Sequence, residues 1–178
     1  MTMARQFLLL LMTGILLFSF ACKKKKDSAE TKLNATPTGY LIPSSLADDT
    51  LLLYAKTPCF GACPTFRLMI KMNGEIRYEG QKNVNLLGTY KGNWSKEQMI
   101  ALDQEMKKIN FYHFQKIYDN PVVTDLPSMY IGYTKGNDLY KIKCRVQYPN
   151  ELKTLSQWLD TQINTTEFQQ TEKLQNNE

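Results

Sequence analysis
The sequence predicts an α+β domain: an antiparallel sheet of about six strands in the order ββββαββα, with two helices packed on one face. Three observations predict it. Alternating apolar and polar residues flank two short turn signals, as hairpins require. Two other stretches carry apolar residues at steps of three and four, the helical period. The links between strands are of hairpin length, which favours antiparallel neighbours over crossovers.

Leu51 to Ala55 is a continuous apolar run of buried-strand character. Phe66, Leu68, Ile70 and Met72 then alternate with Arg67, Met69 and Lys71, and Ile76 and Tyr78 alternate with Arg77 and Glu79. Asn73-Gly74 lies between these runs. Asn-Gly in such a place is the strongest short hairpin signal, because a two-residue turn needs positive φ at both positions. Residues 84–94 read as a fourth strand, and Gly88 and Gly92 within it suggest a bulge or close packing. Ser95 and Gln98 form a capping box. The helix that follows has a stripe of Met99, Leu102, Met106 and Ile109, with Lys107 and Lys108 at its negative end and Asn110 to stop it. Phe111 to Phe114 is an aromatic-rich connection. The second hairpin comprises 128–134 and 139–146 around the turn 135–138. Pro149 and Asn150 open the last helix, whose buried side is Leu152, Leu155, Leu159 and Ile163.

The ends of the chain read differently. Arg5 precedes an apolar run of about a dozen residues, too short for a comfortable span of roughly 20 but suited to a secretory signal. It closes on Ser19-Phe20-Ala21-Cys22, which resembles a bacterial lipoprotein signal of the loose kind found in Bacteroidetes. The resemblance implies that residues 1–21 are removed and that Cys22 becomes the lipidated N-terminus. An uncleaved anchor and an ordinary signal peptide are the alternatives, and both still place the body outside the cytoplasm. Two or more acyl chains, at about 0.8 kcal/mol per buried methylene, hold a protein stably on a membrane. Residues 22–49 form a polar tether that begins with Lys23, Lys24, Lys25 and Lys26. The folded body is residues 50–163, and a polar tail expected to fray occupies 164–178. The expected location is the cell envelope, most naturally the outer membrane.

The chain of 178 residues has a formal charge of +5. Arg5 and the four tether lysines account for five positives within the first 26 residues, and the body carries 15 basic against 10 acidic side chains. This balance disfavours a nucleic-acid partner for an exported protein and keeps an anionic glycan or lipid in view. Alternation places Lys141, Lys143 and Arg145 on one face of the second hairpin, and Arg67 and Lys71 are candidates to share it. These five form a candidate anion-binding face; a merely solvated sheet surface is the competing reading.

The body holds three cysteines. Thr57-Pro58-Cys59-Phe60-Gly61-Ala62-Cys63-Pro64 is the most distinctive stretch of the chain. In an oxidising compartment Cys59 and Cys63 are disulfide candidates, worth about 2 kcal/mol on a loop-entropy estimate. A thiol-redox pair and a metal site are alternatives, although the spacing is Cys-x-x-x-Cys rather than Cys-x-x-Cys. Cys144 falls on the apolar face of its strand and reads as a small buried residue. His113 stands alone among aromatics. No phosphate loop, nucleophile elbow or cofactor motif is visible.

The run from Thr57 to Phe66 resembles the opening of an uncharacterised bacterial domain, domain of unknown function 6438. Gly74-Glu75-Ile76-Arg77-Tyr78-Glu79-Gly80 and Thr124-Asp125-Leu126-Pro127 match further segments of it in order. The resemblance covers residues 50–163. It implies no activity, but its members are often lipoproteins and it draws attention to Asp125. That residue reads locally as a turn carboxylate, with a catalytic role as the alternative. The expected function is a lipid-anchored, non-catalytic binding or scaffolding module with an envelope protein or anionic ligand as partner. A redox or metal-handling protein using Cys59 and Cys63 is the second reading. An envelope hydrolase using His113 and Asp125 is the third.

Overall fold
The computed structural model describes residues 49–123 and 125–172. The expected signal peptide, Cys22 and nearly all of the tether lie outside these residues. Eight strands form one open sheet: β1 Thr50–Lys56, β2 Thr65–Lys71, β3 Glu75–Lys82, β4 Gly88–Asn93, β5 Ile117–Tyr118, β6 Met129–Lys135, β7 Asp138–Cys144 and β8 Phe168–Glu172. Helix α1 is Lys96–Lys108 and helix α2 is Asn150–Thr165. The spatial order is β5-β7-β6-β1-β2-β3-β4-β8.

The α+β class holds, and the strand count is corrected from about six to eight. The sheet is also mixed rather than wholly antiparallel, because β5 runs parallel to β7. Both unforeseen strands lie at edges. β5 has two residues, too few to show a period. β8 lies in the polar tail, where Phe168 is the only aromatic, and it pairs with β4 from Thr89 to Gly92. The segment expected to fray is therefore sheet over residues 168–172. Phe168 packs against Tyr78 and Tyr90, with ring centroids 5.5 and 6.4 Å apart. A Cβ at Gly92 would come within 3.0 Å of the Glu167 carbonyl oxygen, so the bare glycine admits this close approach.

The predicted first hairpin is present with a different turn. Only Gly74 has positive φ, at 89°, and its N–H donates to the Lys71 carbonyl at 3.0 Å. Asn73 serves through its side chain, accepting from Glu75 N–H at 3.0 Å. The expected fourth strand is shorter than 84–94, since residues 83–87 are a loop.

One apolar face of the sheet meets both helices. Leu52, Tyr54, Leu68, Ile70, Ile131 and Ile142 are fully buried there. The Tyr54 hydroxyl donates to Asp160 on α2 and the Tyr133 hydroxyl to Asp103 on α1, so both helices cover the same side. The capping box forms in both directions: Ser95 Oγ accepts from Gln98 N–H, and Gln98 Oε1 accepts from Ser95 N–H. Asn110 takes a left-handed conformation after α1, and residues 111–113 make one 3-10 turn. On α2, Leu152, Leu155, Leu159 and Ile163 are buried as the spacing predicts.

Candidate functional site
Register brings three loops to one end of the sheet. Lys56 at the end of β1 pairs with Met129 at the start of β6, and Gly80 near the end of β3 pairs with Gly88 at the start of β4. The loops 57–64, 83–87 and 119–128 are thus neighbours. Hydrogen bonds fasten them together. Thr57 N–H donates to the Ser128 carbonyl at 2.9 Å, Ser128 N–H donates to Thr57 Oγ1 at 2.8 Å, and Asn83 Nδ2 donates to the Cys63 carbonyl at 3.1 Å.

Cys59 and Cys63 are joined by a disulfide, with Cα atoms 5.8 Å apart. Gly61 N–H donates to Cys59 Sγ at 3.2 Å. The ring holds Phe60 at its tip, 88% exposed. Val122 is 86% exposed on the neighbouring loop, and Leu87 and Leu126 are about half exposed. Exposure of single apolar residues is ordinary, but four on three loops at one end of the sheet mark a candidate contact region.

Below this tip lies a cleft of about 280 Å³ between the loops and α2, with Lys56, Pro64, Asn83, Leu86 and Asp160 among its walls. Gly80 makes room for one wall: a Cβ there would stand 1.7 Å from the Leu86 carbonyl oxygen. Lys56 Nζ pairs with Asp160 Oδ2 at 2.6 Å, and Tyr54 donates to Asp160 Oδ1 at 2.9 Å. Burial first, then the Asp160 charge, pushes the Tyr54 hydroxyl far above its ordinary range, so it stays a proton donor. The Lys56 ammonium also lies 5.5 and 5.7 Å from the Tyr54 and Phe66 ring centroids. The charged groups of the cleft thus bond one another.

The five basic candidates do line the sheet face opposite the helices. Arg67 and Lys143 lie in one row across β2, β1, β6 and β7. Four of them are neutralised by acids. Arg67 bonds Glu79 and keeps a buried, unpartnered Nε; Lys71 pairs with Asp49 and Glu75; Lys143 and Arg145 both bond Asp119. Lys141 is exposed and has no acidic partner among the described residues. Sequence reasoning missed Glu79 and Asp119 as partners. Glu79 sits on the adjacent strand at the position that register alone selects.

His113 and Asp125 are not brought together. His113 is exposed on the turn after α1, beside Tyr112, whose hydroxyl reaches the Thr134 carbonyl at the other end of the sheet. Asp125 lies in the loop beside the disulfide. Cys144 is a free thiol, buried between sheet and helices, and burial pushes it up to about 12. No group of three metal-ligating side chains occurs among the described residues, and no helix among them is long and apolar enough to cross a membrane.

No curated protein and no solved structure matches the chain. The family model described as "Domain of unknown function (DUF6438)" matches residues 50–163, from β1 through the disulfide loop to the last turn of α2, and the chain belongs to that family.

Proposed function
We propose that this protein is a lipid-anchored envelope protein whose domain is a non-catalytic binding module, with the disulfide end as its contact surface. The observation that carries the reading is the exposure of Phe60, Leu87, Val122 and Leu126 on three loops at one end of the sheet, two of them hydrogen-bonded to the disulfide loop. A rigid apolar tip loses little conformational entropy on binding, the property that favours a contact surface. The loops 57–64 and 83–87 carry no charged residue, and of the two carboxylates on the third loop Asp119 is paired with Lys143 and Arg145, so the fitting partner is an envelope protein with a largely apolar surface. The chain enters β1 at Thr50, roughly 20 Å along the strand from the disulfide loop. The preceding segment therefore joins the domain at the end of β1 away from Phe60.

A photoreactive benzoylphenylalanine at position 60, in the full-length protein in its own envelope, tests this. One discrete crosslinked product is expected from position 60 and none from position 107 on α1. Equal labelling from both positions would sink the proposal. A thiol-redox role is the second reading, favoured by the Gly61 N–H directed at Cys59 Sγ in a surface loop. A disulfide that resists glutathione would exclude it.

A further inference from the structure
The geometry points to a second interaction surface: the outer edge of β7, which takes an extended, acidic segment of a partner protein as an added strand. β7 pairs with β6 along all seven residues, but with β5 only at Lys143 and Cys144. The Lys143 N–H donates outward to the Lys116 carbonyl at 2.8 Å. In an unbroken antiparallel register the outward direction alternates, so the N–H and C=O of Leu139 and Lys141 also point away from β6. No described strand lies beyond them. These four backbone groups form a short open ladder, continuing the line of β5.

The side chains around that ladder are cationic. A groove of about 470 Å³ beside it is lined by Tyr112, Lys116, Lys135, Asp138, Leu139 and Tyr140. Lys116 Nζ sits 5.3 Å from the Tyr140 ring centroid and Lys135 Nζ 5.1 Å from that of Tyr112. Lys116, Lys135 and Lys141 are exposed, and none pairs with an acid among the described residues. The contrast with Arg67, Lys71, Lys143 and Arg145 is informative, because each of those has its carboxylate. Exposed lysines without a carboxylate also occur elsewhere, as at Lys82 and Lys91, but only at this edge do three of them flank open backbone groups. Asp138 is the one carboxylate in the groove, at its hairpin end. Main-chain bonds would supply affinity and the lysines selectivity for acidic side chains. Lysines also guard an edge against casual pairing with neutral strands. The inference does not depend on the disulfide end.

The probe is a fluorescein-labelled, C-terminally amidated peptide Thr-Glu-Val-Glu-Val-Thr, with its Gln-for-Glu counterpart as control. Anisotropy with the full chain in detergent measures binding, and hydrogen–deuterium exchange locates it. The acidic peptide is expected to bind at least about tenfold more tightly than the control and to protect residues 138–143. Lys116→Glu with Lys135→Glu should weaken it by about tenfold or more. Lys141→Pro removes an outward N–H while leaving the β6 ladder, and should weaken it similarly. If Lys141→Pro does not fold, the charge variant decides alone. Equal binding of both peptides, protection confined to 57–64 or 119–128, or an unaffected charge variant would each overturn the inference. So would a dimer that the peptide dissociates, since the occupant would then be a second copy.

Discussion
At the scale of single residues, the sulfur atoms occupy opposite environments. Cys144 is buried and its thiol is pushed up to about 12, whereas Cys59 and Cys63 are spent on each other in a surface loop. In a chain carrying Cys22→Ser, a thiol reagent should find no reactive cysteine in the native protein. It should find one after unfolding without reductant and three after unfolding with it. Asp119 makes a pH prediction. The hydrogen bond from Lys143, then that from Arg145, holds its carboxyl below the usual carboxylate range despite burial. Its folded value therefore lies under its unfolded value of about 3.9. The stabilisation is complete above that value and is lost as pH falls through the folded one. Asp119→Asn should lower the thermal midpoint at neutral pH, and the difference from the parent should begin to narrow below about pH 4 and close as pH falls through the folded value. A gap that persists at low pH would assign Asp119 a role other than charge pairing. The buried cysteine was legible from alternation alone. The partner of Lys143 and Arg145 was not, because it stands more than 20 positions away on another loop.

At the scale of elements, legibility followed locality. The capping box of α1, the α2 stripe and the existence of both hairpins depend on residues within a few positions of each other, and all are present. The turn at Gly74 and the loop 83–87 depend on what lies across from them. Gly80 shows the difference. In the chain it is one glycine in an alternating strand, while in the sheet it is the space into which Leu86 folds. Gly80→Ala should cost about 1–3 kcal/mol or more, read from urea unfolding, because a backbone carbonyl must move. Unchanged stability would mean that the 83–87 loop shifts freely and is not a fixed wall of the cleft. β5 and β8 carry the same lesson. Strands of two and five residues at sheet edges are specified by their neighbours' open backbone groups more than by their own pattern.

At the scale of the whole molecule, the proposed lipid attachment at Cys22 makes one prediction. Mass spectrometry of the mature protein should find the first 21 residues absent and the mass of acyl chains on Cys22. Cys22→Ser should release the protein from the membrane fraction, and a variant that stays membrane-bound would argue for an uncleaved anchor. The sequence by itself determined the α+β class, the two helices with their buried sides, the family and the cysteine pair most fit to close. Each of these is written in short-range spacing or in a contiguous motif. Only the tertiary structure decided that the sheet is mixed and eight-stranded and that three loops with exposed apolar residues lie at one end of it. It also decided that the basic face is largely neutralised while three lysines at the β7 edge are not. These outcomes turn on strand register and order, which pair residues tens of positions apart. Spacing along the chain says nothing about which acid will stand opposite a given base.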